Sequence, residues 1–151
     1  MFRPTTHRSN RIQLLLMMLL GLVLVSFTTG AYAQNRTEVR VDVIVASNSG
    51  QGVGADLQRH SGRLSAQFPN YDSFRSQGVH QLRLGPGDRQ SFNIPGGGSV
   101  TISFVSQQGN RTTYDVAIPG GTARVELTPG SLIFVGGPRS PSGVVILMIR
   151  G

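Results

Sequence analysis

The chain has 151 residues, a formal charge of +7 and no cysteine. That length suits one domain of ordinary size, and the missing thiols exclude a disulfide framework, a thiolate metal site and a cysteine nucleophile. All 14 basic residues are arginine, set against seven acidic ones, an excess that keeps a domain soluble and favours anionic partners only modestly.

The N-terminus has three parts. Met1–Arg11 is polar and carries Arg3, Arg8 and Arg11; Leu14–Val25 is almost purely apolar; Ala31-Tyr32-Ala33 precedes Gln34. Basic region, short apolar core and A-x-A exit predict a cleaved secretory signal over residues 1–33. The apolar core has 12 residues, short of the roughly 20 a helix needs to cross a bilayer. No cysteine follows it, which excludes a lipoprotein anchor, and no adjacent arginine pair precedes it, which argues against twin-arginine export. Residues 34–151 are then expected to form a single β-rich domain, periplasmic or secreted, with no membrane span after signal cleavage.

Within that domain Thr37–Ser47 alternates cleanly, with Val39, Val41, Val43 and Val45 on one face and Arg40, Asp42, Ile44 and Ala46 on the other. This is a β-branched first strand. Asn48–Gly54 breaks it with turn-forming residues. Ala55–Phe68 is the one helix candidate: Leu57, His60/Ser61, Leu64 and Phe68 fall at helical spacing and Pro69 ends it. Gly62 costs such a helix about 1 kcal/mol relative to Ala, so it has to lean on the sheet.

From Tyr71 onward the chain reads as short strands between Gly/Pro turns. Phe74–Leu84, as one strand or two, puts His80, Leu82 and Leu84 on one face; Gln90–Ile94, Ser99–Ser106, Thr112–Ile118 and Ala123–Leu127 follow. FNIPGGGSVTISF and YDVAIPGGTARVEL both read as strand, turn, strand, which hints at two similar hairpins rather than a solenoid. The end, Leu132–Ile149, holds two apolar runs, Leu132–Val135 and Val144–Ile149, around GGPRSPSG. A run apolar on both strand faces has to be covered on both sides, so this pair is expected at the centre of the fold. The predicted class is mainly β with one helix (α+β): a mostly antiparallel sheet, sandwich or partly closed barrel.

Four constellations could carry chemistry. Gly50, Gly52 and Ala55 fit a relaxed G-x-G-x-x-A between strand and helix, where backbone N–H groups could approach a pyrophosphate. No second βαβ unit follows, so a Gly-rich connecting loop is the favoured reading. His60 and His80 lack a third ligand at metal spacing, although Asp56 lies four residues before His60. There is no G-x-S-x-G elbow. A glycosidase-like pair would have to be drawn from scattered carboxylates such as Asp42, Asp72, Asp88, Asp115 and Glu126. The arginines form no basic run and do not interleave with aromatics, so nucleic acid is not an expected partner. No cofactor and no metal are expected.

VDVIVASNSGQGV (Val41–Val53) and TPGSLIFVGGPRSPSGVVILMI (Thr128–Ile149) resemble small exported proteins of Gram-negative, myxobacteria-like bacteria. The resemblance spans the mature domain and implies export without implying an activity. ARVELTPGSLIFVGG (Ala123–Gly137) resembles the strand–turn–strand before the paired glycines of the secretin family, with Gly130 and Gly136-Gly137 matching; no multi-strand channel region follows.

The expected function is therefore non-catalytic: an envelope protein that binds another protein or a surface polymer. Contact would run through a free sheet edge or through exposed loops on a rigid scaffold, at Asn48, Ser49, Gly50 and Gly52 or near Arg139 at the tip of Gly136–Gly143. The alternatives are a small cell-wall-directed hydrolase, or an accessory component of a secretion apparatus.

Overall fold

The computed structural model describes residues 36–151; the expected signal peptide lies outside the described residues. Eight strands run in chain order as β1 (Thr37–Ser47), β2 (Ser73–Leu84), β3 (Arg89–Asn93), β4 (Ser99–Gln108), β5 (Arg111–Ile118), β6 (Gly121–Leu127), β7 (Leu132–Ser140) and β8 (Gly143–Arg150). They form two four-stranded sheets, β2-β1-β8-β7 and β3-β4-β5-β6, with every strand pairing antiparallel. The result is an open β-sandwich and not a closed barrel. The second sheet is a simple meander whose β3–β4 and β5–β6 hairpins are the two Pro-Gly-Gly segments.

Alternation explains the layering. Val39, Val41 and Val43 of β1 and Val145, Leu147 and Ile149 of β8 pack between the sheets against Val100, Ile102, Tyr114 and Val116. The opposite face of the same two strands presents Ile44, Ala46, Ile146 and Met148 to a second cluster containing Leu57, Leu64 and Phe74. The first sheet is thus covered on both faces, and a short helical segment supplies the second cover.

That segment is not one helix over Ala55–Phe68. A 3-10 turn over Ala55–His60 gives way to α1, Ser61–Gln67, through His60 at φ −110° and ψ 2°. Seven residues from Ser61, with Gly62 among them, are too few for independent helical stability. Buried Leu57 and Leu64 hold both halves on the sheet.

A bulge in β2 settles how one strand serves two cores. Val43 pairs with Gly78 but Ile44 pairs with Ser76, which leaves Gln77 as the extra residue. The slip of one reverses the faces. Phe74 joins the helix-side cluster, whereas Leu82 and Leu84 enter the sandwich.

The closing pair needs a correction. β8 lies inside the first sheet between β1 and β7, but β7 is an edge strand and its apolar run is half-buried. The central pair is β1–β8. Nor is Gly136–Gly143 a hairpin loop: Gly136–Ser140 continues β7 through a bulge, and Ser140 pairs with Gly143 across Pro141-Ser142. Arg139 pairs with Val144 within the strand and is not at a loop tip.

Candidate functional site

The loop singled out for recognition is closed upon itself. The Gly50 N–H donates to Asp72 Oδ1 at 3.0 Å, the Gln51 N–H to Ser73 Oγ at 2.9 Å, and Arg75 to the Gln51 carbonyl at 2.9 Å. Ser73 Oγ in turn donates to Asp72 at 2.7 Å. This Ser73 bond, then the Gly50 N–H, holds the Asp72 carboxyl below its ordinary value. A phosphate arriving at the glycines would meet N–H groups already given to a carboxylate and a hydroxyl. Gly54, ahead of the helical segment, donates to the Phe74 carbonyl. Gly50 and Gly52 take φ of 69° and 66° to make these turns. Asn48 and Ser49 are exposed on this tied loop, and Arg139 is exposed on β7.

The two histidines face opposite ways. His80 pairs with Val41 in the ladder and stacks on Phe92 with ring centroids 4.1 Å apart. His60 lies beyond the other face of the sheet, in the 3-10 turn. They cannot share a metal, and among the described residues no three His, Asp or Glu side chains are placed to hold one.

Several carboxylates serve local structure. Asp88 accepts from the Gly85 N–H at 3.1 Å. Asp115 takes two bonds from Arg124, at 2.8 and 3.0 Å, which hold its pKa down. Glu126 faces Arg111 at 3.3 Å.

What the topology leaves open is a sheet edge. Strand order exposes four: β2, β7, β3 and β6. Unpaired edges invite pairing with another chain unless they are short, charged or bulged. β2 carries Arg75 and Arg83 and a bulge, β3 has five residues, and β6 carries Arg124 and Glu126. β7 begins Leu132-Ile133-Phe134-Val135, uncharged and half-buried, and its own bulge comes only after Gly136.

The Gly151 N–H donates to the Ser131 carbonyl at 3.1 Å. By the antiparallel alternation, Ile133 and Val135 then bond toward β8, while Leu132 and Phe134 turn their N–H and C=O groups outward.

A groove of about 520 Å3 follows this edge, lined by Leu132, Ile133 and Phe134 and by Arg63, Ala66 and Gln67. Leu132 and Phe134 belong to the helix-side cluster and Ile133 to the sandwich. The groove is thus bounded by β7 on one side and α1 on the other. Phe68 meets Phe134 edge-on at 6.1 Å and fixes its ring. Among the described residues Arg63 is the charged one of the lining, and no carboxylate lines the groove with it.

The edge itself was expected to matter, but Leu132, Phe134, Arg63 and Ala66 were not singled out by the sequence. The available signal was an apolar run that closes on Gly-Gly-Pro, which is poor material for a strand paired on both sides. Among the described residues no helix is long and apolar enough to cross a membrane. Comparison with protein-family models, with curated proteins and with solved structures finds no match to this chain.

Proposed function

We propose that the protein is a non-catalytic, exported envelope protein that binds an extended segment of another protein by adding it as a strand to β7. The observation that carries this reading is the uncharged Leu132–Val135 edge with a groove of about 520 Å3 beside it. Main-chain bonds to the outward groups of Leu132 and Phe134 would supply affinity, and side chains entering the groove would supply choice. The favoured segment alternates apolar residues and carries an acidic one, since Arg63 is the groove's charged residue. Export is supported by the N-terminal signal pattern, and on this reading protein and partner meet in the envelope or beyond.

Synthetic heptapeptides alternating Val or Leu with Thr and carrying one Asp are the probe. Ala66 is exposed on α1, so Ala66→Trp fills the groove without touching the core. It should weaken peptide binding by about tenfold or more, the loss expected when roughly 1.4 kcal/mol of contact is blocked. Binding left unchanged by Ala66→Trp and by Arg63→Glu would reject the β7 site. Self-association through β7, seen by sizing, would replace the heterologous partner with a second copy.

A second reading has one specific observation behind it: Asp42 and His60 line a common pocket, the juxtaposition a small cell-wall hydrolase would require. Release of soluble fragments from purified cell wall, lost in His60→Gln, would favour it over strand addition.

A further inference from the structure

Away from the β7 edge, residues of the 3-10 turn and of β1, β2 and β8 line a pocket of about 160 Å3. Asp42 anchors it. Its side chain is 6% exposed; Oδ2 accepts from an Arg150 terminal nitrogen at 2.6 Å and Oδ1 from Arg40 at 3.5 Å. Both carboxylate oxygens are therefore used.

Two buried nitrogens in the same pocket are not. Among the described residues His60 Nε2 and Arg150 Nε have no hydrogen-bond partner. The Arg150 Nε–H can only donate. A buried donor without an acceptor is costly, so the pocket favours a group that brings an acceptor oxygen.

The charges agree with that deficit. Arg40, Arg59 and Arg150 line the pocket against Asp42 and Asp56, an excess of one positive charge when His60 is neutral. His60 feels the excess: burial first, then Arg150, Arg59 and Arg63, push its pKa below the ordinary value, and Asp42 opposes them. The remaining lining is apolar, from Val79, 45% exposed, and Met148, 1% exposed.

We propose that this pocket binds a small organic carboxylate, whose oxygens accept from Arg150 Nε and from the His60 and Arg59 side chains while its aliphatic part lies against Val79 and Met148. Val79, the more exposed of the two apolar side chains, gives a short tail a contact that an inorganic anion would not use. A water occupies about 30 Å3, so the volume suits an acid near the size of propionate. Nothing in this depends on strand addition at β7.

The test uses propionate on the purified protein at fixed pH and ionic strength, with phosphate and propionamide alongside. The readout is the His60 ring resonances, assigned by their loss in His60→Gln. Propionate should shift them saturably, and propionamide, which has the shape without the charge, should bind at least about tenfold more weakly.

A hydrogen bond to a charged group is worth about 1.5–3 kcal/mol, so Arg150→Gln should weaken propionate roughly 10- to 100-fold. Because that variant also strips Asp42 of the nearer of its two arginine partners, Arg59→Gln at an exposed position serves as the folded control. It should weaken binding about two- to fivefold. The proposal is overturned by no saturable shift up to about 50 mM, well beyond a millimolar dissociation constant, as expected if water alone fills the pocket. Phosphate binding as tightly as propionate would also overturn it, as would propionate binding untouched by both arginine variants.

Discussion

Replacing Arg150 by methionine removes the 2.6 Å bond to Asp42 and leaves a buried carboxylate with Arg40 alone beside it. Breaking a buried pair from one side costs about 3–5 kcal/mol, because the surviving charge stays desolvated. Arg40 is 44% exposed and sits at 3.5 Å, so it can swing inward and recover part of that. The expected loss is therefore near the lower limit, about 3 kcal/mol. For a domain of this size that corresponds to a fall in Tm of roughly 10–20 °C. Urea unfolding followed by circular dichroism gives the loss directly, provided the slope is unchanged. Asp42→Leu combined with Arg150→Met should return to within about 1 kcal/mol of the parent, since an apolar pair of similar volume often replaces a buried ion pair at little cost. A single Arg150→Met costing less than about 1 kcal/mol, in the range of an exposed pair, would refute the reasoning, as would a double variant whose loss equals the sum of the two singles.

The pH dependence follows from His60. Its folded-state pKa is lowered, so below the ordinary value of about 6.5 the unfolded chain binds the extra proton first. Stability should hold above that pH and fall as pH drops from there through the folded value, with His60→Gln flattening the slope in a Tm-against-pH series. Gly143 takes φ 141°, and a Cβ there would collide with the Ala46 carbonyl. Gly143→Ala should cost more than about 2 kcal/mol in urea unfolding, the scale of backbone strain added to overpacking.

Faces were legible in the sequence; neighbours were not. The alternation of Val39–Val45 and the two-sided apolar run of Val144–Ile149 gave β1 and β8 their covers, because periodicity reports which side of a strand is wet. Leu132–Val135 reads the same way, yet β7 is half-buried at an edge. Periodicity is silent on whether another strand lies alongside. The Pro-Gly-Gly segments announced the hairpins of the second sheet, whereas Gly136–Arg139, equally rich in turn residues, is a bulged strand because β8 pairs with it.

The carboxylate pocket was beyond local spacing altogether: Asp42 and Arg150 are 108 positions apart, and His60 reaches them through a turn. One hint was present. An aspartate among Ile44, Ala46 and their neighbours on a covered face demands a cation, and Arg150 ends the strand that pairs there.

Amide exchange at Leu132 and Phe134 tests strand addition at β7 most directly, since by the ladder alternation their N–H groups point away from β8, on the side where β7 has no neighbouring strand. Bound heptapeptide should slow exchange at these two amides by at least about tenfold, equal to a hydrogen bond worth about 1.4 kcal/mol. Saturating peptide that leaves both amides exchanging as before, while slowing those of Asn48–Gly54, would contradict it.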